Sequence, residues 1–222
     1  MGSIVQFERP DGKHCSGYYA EPAKDSKAAG VVVIQEWWGL NDQIKGVANR
    51  LADTGYRALV PDLYRGKVAV EAKEAEHLMH GLNFGDAAGQ DIRGAAQYLK
   101  QSSSRVAVMG YCMGGALTIA AAVHVPEFAA GVCFYGIPPK AFADPAKVRI
   151  PLQGHFANKD DWCTPDAVDD LERTLKSAGV RHEIYRYDAA HAFANERSAA
   201  YDVACANQAW ERMAAFLGAQ IA

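Results

Sequence analysis

The chain has 222 residues, of which 50% are hydrophobic and 22% charged, with a formal net charge of −3. That is long enough for a self-sufficient core and too apolar for a disordered chain, and the charge balance gives no global attraction to nucleic acid or to an anionic membrane. Its five cysteines are odd in number and none pair as C-x-x-C, which excludes a complete intrachain disulfide set and disfavours a zinc-ribbon or thioredoxin-type site. The first ten residues, MGSIVQFERP, lack the basic-then-apolar pattern of a secretory signal, and Gln6 stands where a myristoylation site wants Ser or Thr. With no apolar run of about 18 residues, no transmembrane helix is expected, and the default setting is a reducing cytoplasm.

Taken in chain order, the sequence opens with two short runs, Ile4–Glu8 and Cys15–Ala20, either side of the turn signal Pro10-Asp11-Gly12, which predicts a hairpin. Gly30–Gln35 is a continuous apolar run, as expected of a strand buried on both faces. Asn41 or Asp42 can cap a helix carrying Ile44, Val47, Ala48 and Leu51, closed by Gly55. Arg57–Val60 reads as a strand stopped by Pro61, Val70–His80 as a charged helix and Ala87–Leu99 as another helix. In the second half, Arg105–Met109, Ala130–Tyr135, Ile150–Gly154 and Arg181–Tyr187 read as strands. Between and after them come helices over Met113–Val123, Asp166–Ser177 and about Arg197–Leu217, the last presenting Val203, Asn207, Trp210, Ala214 and Leu217 on one side. Strands alternating with helices predict one domain, residues 1–222, built on a mostly parallel twisted sheet with helices on both faces. In such sheets ligands collect beyond the carboxyl ends of the strands.

The strongest chemical signal is RVAVMGYCMGG, residues 105–115: a strand, then Gly110-Tyr111-Cys112-Met113-Gly114, then a helix at once. This is the G-x-nucleophile-x-G turn with Cys in place of Ser, which projects the nucleophile at a helix N-terminus, where the dipole is expected to favour thiolate. Such a nucleophile calls for an acid and then a His downstream, and both follow in order. Asp160 lies in the loop after the Ile150–Gly154 strand, with Asp161 its rival, and His191 lies in YDAAHAF before the last helix. His191 would take the Cys112 proton, and Asp160 would orient the imidazole. The oxyanion would lie between the backbone N–H groups of Met113 and Trp37, the latter in QEWWGL after the first long strand. Glu36 at the tip of that strand is costly to bury unless paired, and beside a thiol it suggests control of protonation. His77 and His80, three apart on a polar helix, read as surface residues, so no metal site is expected.

GYCMGG, QEWWGLN, the Asp160 loop and YDAAHAFAN together resemble the dienelactone hydrolase (carboxymethylenebutenolidase) family of α/β-hydrolases, over nearly the whole chain. The resemblance implies an α/β-hydrolase core without a large cap domain and a Cys112–His191–Asp160 triad. It also implies that Glu36 hydrogen-bonds the resting thiol and can receive its proton. It further implies a monomer acting on a small ester or lactone through a thioester, with no cofactor, while the charge balance and the lack of a long apolar run predict no nucleic-acid or membrane partner. Lactonases of this family hold a substrate carboxylate with two arginines. One of those positions is Asn195 here, and Val70–Gly81 supplies no Arg, leaving Arg65 and Arg197 as nearby substitutes. Trp38, Tyr64, Tyr135, Trp162 and Phe193, with Asn195, are candidate substrate-binding residues, and so many aromatics suit a neutral or aromatic ester. The alternative from another class is an oxidisable thiol at Cys112 acting as a redox sensor.

Overall fold

The computed structural model describes residues 2–23 and 28–222. The hairpin forms as β1 (Ser3–Glu8) and β2 (His14–Ala20), paired antiparallel. Six further strands follow: β3 (Gly30–Ile34), β4 (Arg57–Pro61), β5 (Val106–Tyr111), β6 (Ala130–Phe134), β7 (Leu152–Lys159) and β8 (His182–Ala190). They assemble into one eight-stranded sheet in the order β1-β2-β4-β3-β5-β6-β7-β8. β2 runs antiparallel to β4, and from β4 to β8 every neighbour is parallel.

The central strands are apolar because both faces are covered. Val31 and Val33 point into one cluster with Ile44, Ala48 and Leu51 of α1 (Asp42–Asp53) and Met213 and Leu217 of α7 (Val203–Ile221). Val32 and Ile34 point the other way, onto Ala95, Ala96 and Leu99 of α4 (Arg93–Lys100) and Leu117 and Ala121 of α5 (Met113–His124). A third cluster packs Val168, Leu171 and Leu175 of α6 (Pro165–Ser177) against Leu152 and Phe156 of β7. Each fully buried Val or Leu contributes about 1.5–3 kcal/mol. α2 (Ala72–His80) and a short turn, α3 (Phe84–Asp86), complete the helices before α4. Asn41 caps α1 by accepting the Ile44 N–H at 3.1 Å.

Four details differ from the sequence expectation. The helix expected over Ala87–Leu99 is interrupted by a wide π-type turn at Ala87–Ile92. β7 continues five residues past Gly154 because it pairs with a β8 that itself runs to Ala190. α7 starts at Val203, not Arg197, because Asp202 caps it, accepting the Cys205 N–H at 2.9 Å. Residues 195–201 are held instead in successive turns, Ser198 N–H to Asn195 C=O at 2.9 Å and Tyr201 N–H to Ser198 C=O at 3.1 Å. That shift also rotates the buried face of α7. Val203 is 59% exposed, and the buried stripe is Ala209, Met213, Phe216, Leu217 and Ile221.

Candidate active site

β5 ends at Tyr111 and α5 begins at Met113, so Cys112 must reverse the chain alone. It does so at φ 54°, ψ −116°, a conformation that L side chains rarely adopt and that costs about 1–3 kcal/mol. The flanking glycines make the reversal possible. A Cβ at Gly110 would strike the Gly114 carbonyl, and one at Gly114 would strike the Ile34 carbonyl. The Cys112 N–H is fixed to the Phe134 C=O at 3.0 Å. Two further non-glycine residues with positive φ lie beside it, Tyr135 (37°) after β6 and Ala192 (63°) after β8. Backbone strain therefore gathers at the carboxyl edge of the sheet, over a pocket of about 620 Å³.

Asp160, rather than Asp161, meets His191: the imidazole Nδ1 lies 2.7 Å from Asp160 Oδ2. The other oxygen, Oδ1, accepts the N–H groups of Trp162 (2.7 Å) and Cys163 (2.9 Å). Burial pushes the Asp160 carboxyl up, but the His191 contact and these amides outweigh it and hold it below its ordinary value. His191 and Cys112 line the same pocket with Glu36, Trp37, Trp38, Trp162 and Asn195. Glu36 is buried; its Oε1 accepts the Tyr135 O–H at 3.2 Å and its Oε2 accepts the Asn195 Nδ2–H at 2.7 Å. Burial drives its carboxyl above the ordinary value despite those donors and the nearby His191.

The expectation that the helix terminus favours thiolate at Cys112 is corrected. Burial first, then the Glu36 charge, push the thiol up, and the Met113 amide offsets this only partly. Three expected pocket walls also move. Tyr64 is buried, with its O–H 3.4 Å from Met113 Sδ; Tyr135 is wholly buried on Glu36; and Phe193 is wholly buried between Tyr135 and Tyr187. None of the three lines the pocket. Asn195 lines it but spends its amide on Glu36. Cys163 is buried and gives its backbone N–H to Asp160. Arg65 turns away to Asp91, both N–O distances under 3 Å (2.8 and 2.9 Å), while Arg197 lines the pocket with 58% of its side chain exposed. The walls that sequence reasoning missed are Val68, Val70 and Met79 on one side and Ser198 and Ala199 on the other. Val68 and Val70 lie before α2, Met79 lies on α2, and Ser198 and Ala199 lie in a turn that reads as helix, so no local signal marked them as pocket walls.

A mostly parallel eight-stranded sheet, helices on both faces, and a strained Cys between strand and helix that shares a pocket with the His of a His–Asp pair define an α/β-hydrolase. The family model described as "Dienelactone hydrolase family" matches residues 15–221, and the chain belongs to that family. It is thereby an enzyme of the carboxylic ester hydrolase class. It is 34% identical over 228 residues to "Protein usf" of Aquifex pyrophilus, covering 97% of each chain. It is 32% identical to the "Putative carboxymethylenebutenolidase" of Aquifex aeolicus, covering 95% of each. Among solved structures, the "Putative Dienelactone Hydrolase" of Klebsiella pneumoniae superposes with a TM-score of 0.86 at 26% identity, over 98% of this chain and 99% of that one. No helix among the described residues is long and apolar enough to cross a membrane.

Proposed function

We propose that the chain hydrolyses small carboxylic esters or lactones through a thioester on Cys112, with His191 as proton carrier and Asp160 as its orienting acid. The observation that carries this reading is the 2.7 Å His191–Asp160 pair sharing a pocket with a strained, strand-ending Cys112. The Cys112 proton passes to His191, and the sulfur attacks the ester carbonyl carbon. The oxyanion is received by the Met113 and Trp37 N–H groups, a contribution of about 3–4 kcal/mol per donor in comparable sites. The C–O bond breaks as the alcohol takes a proton from His191. Water, deprotonated by His191, then attacks the thioester and returns the proton to sulfur.

The reading takes residues 1–222 as one domain acting as a cytoplasmic monomer on a small-molecule substrate, without cofactor or metal. The pocket favours a neutral or aromatic ester over an anionic dienelactone. Trp37 stacks edge-on against Trp38 at 5.3 Å and Trp162 at 6.1 Å, and Val70 is 84% exposed at the mouth. Asn195 is a poor partner for a carboxylate, and Arg197 is the one guanidinium among the described lining residues. A redox-sensing thiol is the alternative from another class, and it calls for oxidation of Cys112 at low peroxide with negligible ester turnover.

The test is a panel of neutral and anionic esters and lactones with Cys112→Ala as control. Expected are a burst of one acyl group on Cys112, seen by intact mass, and higher kcat/KM for neutral aryl esters. Wild-type turnover by Cys112→Ala would overturn the assignment. Asn195→Arg and Arg197→Ala address the anionic arm: a rise in the anionic-to-neutral ratio with the first is expected if position 195 reaches substrate.

A further inference from the structure

Exposed apolar side chains gather on one side of the pocket, and the triad gives no reason for them. Val68 and Val70 are exposed, Val70 almost completely, and both line the pocket with half-buried Met79 and with Trp38. The backbone fixes them in place. The Ala69 N–H bonds the Trp38 C=O at 2.9 Å, Val68 bridges to Gly39, and the Val70 N–H donates to Glu74 Oε2 at 3.1 Å. An apolar patch held in water beside a pocket marks a binding surface. The polar side chains on this side have protein partners. Both Glu36 oxygens accept, from Tyr135 and Asn195, and Asn41 Oδ1 accepts the Ile44 N–H at 3.1 Å. This side therefore offers a ligand mainly hydrocarbon.

The strand order says which half of a substrate meets that surface. Cys112 follows β5. On one flank stand β3 and β4, with Trp38, Val68 and Val70 after them; on the other stand β7 and β8, with Trp162, His191 and Arg197 after them. The flanks meet where Trp37 touches Trp162 edge-on at 6.1 Å. With Cys112 as nucleophile, the leaving alcohol oxygen must reach His191 to be protonated. The alcohol half therefore lies on the β8 flank, beside Trp162, whose ring centroid is 6.2 Å from that of His191. The acyl carbon is bonded to the same carbonyl carbon and points away from His191, along the β3–β4 flank. We propose that Val68, Val70 and Met79 form an acyl-chain subsite, and that the substrates are esters of apolar acids longer than acetate. This deepens the ester-hydrolase reading and rests on it.

The experiment compares kcat/KM along two ester series in wild type, Val70→Asn, Met79→Ala and Trp162→Ala. The acyl series is 4-nitrophenyl acetate, butanoate and hexanoate, which share one leaving group. The alcohol series is ethyl, butyl and hexyl acetate, which share one acyl group. Burying each added methylene should raise kcat/KM about two- to fourfold, so the wild-type hexanoate-to-acetate ratio should exceed about tenfold. Val70→Asn and Met79→Ala should each cut that ratio about three- to tenfold and leave the hexyl-to-ethyl ratio within about twofold. Trp162→Ala should do the reverse. Met79 packs partly on the core, so should Met79→Ala fail to fold, Val70→Asn, at an exposed position, carries the test. A flat acyl series in wild type, or variants that lower both ratios alike, overturns the proposal. If the acyl series is flat and Cys112→Ala is inactive, only this inference fails. If Cys112→Ala turns over like wild type, the nucleophile reading fails, and the subsite with it.

Discussion

Asp160 has two tasks, and its two oxygens divide them. Oδ1 closes the turn by accepting the Trp162 and Cys163 amides, and Oδ2 faces His191 Nδ1. Asp160→Asn should therefore fold, since the amide oxygen can still accept both N–H groups. Its NH₂ would then face Nδ1 and enforce the wrong tautomer. The expected result is a loss of about 10³–10⁴ in kcat with a melting temperature within a few degrees of wild type. Steady-state kinetics beside a thermal melt checks both halves. At this scale much was legible in the sequence. Gly110 and Gly114 mark the only kind of turn in which Cys112 can sit, and the order of Asp160 and His191 needs no distances. The protonation of Cys112 and the partner of Asn195 were not legible. Both depend on Glu36, which lies 159 residues from Asn195 and meets it only across the folded sheet edge.

The parallel strands show what periodicity reveals and what it hides. β3, β5 and β6 were legible because strands covered on both faces are apolar throughout. The sequence reading ended this strand at Gly154, one residue short of His155, which lies three residues from the start of β7. In the structure His155 is a rung in an aromatic ladder. Tyr111, Phe134, His155 and Tyr185 are register partners on β5 to β8, with ring centroids 4.5, 4.5 and 5.6 Å apart. The guanidinium of Arg212 lies 4.2 Å over the last ring. His155 ring nitrogens are taken by Tyr187 Oη at 2.8 Å and Gln153 Oε1 at 2.9 Å. Burial, with Arg212 adding to it, lowers its pKa from an ordinary 6.5 to about 3. Because the folded value lies below the unfolded one, the unfolded chain binds the proton first. The group costs no stability above about pH 6.5, and the penalty grows as pH falls toward 3. His155→Gln, which keeps one donor and one acceptor, should remove a loss of about 2–3 kcal/mol between pH 6.5 and 4.5. Urea titrations of both proteins at the two pH values measure it; parallel acid losses would show that the ring is not responsible. Asp202→Ala tests an element boundary in the same way. Losing the cap of α7 should cost about 1 kcal/mol, read as a lower urea midpoint at unchanged m-value.

Across the whole molecule, the sheet brings residues from every quarter of the chain to one edge, and its far side is tied by charge. Asp91 is buried in the wide turn at Ala87–Ile92, between two guanidinium groups. Arg65 grips it at 2.8 and 2.9 Å, and Arg9 lies 3.2 Å away while also binding Asp11 and Asp86. The N-terminal hairpin, the loop after β4 and the helical segment before β5 thus meet at one carboxylate. The loop matters to the pocket, because its Val68 bridges to Gly39, its Ala69 N–H bonds Trp38 C=O at 2.9 Å, and Val68 and Val70 form a wall. Nothing local announces this. Arg9, Arg65 and Asp91 look like three solvated charges in three separate segments, and the π-type turn has no sequence signature of its own. Removing the carboxylate takes the bidentate partner from Arg65, which keeps the Asp62 carbonyl, and one of three carboxylates from buried Arg9, so Asp91→Ala should lose about 1–3 kcal/mol of folding stability. The same change should loosen the Val68–Val70 wall and raise KM for aryl esters more than it lowers kcat, since Cys112, His191 and Asp160 stand on other segments. Equilibrium urea unfolding and steady-state kinetics decide the matter together. A stable variant with unchanged KM would mean that Asp91 supports neither the fold nor the wall. A loss of stability with kinetics intact would confine its role to the core.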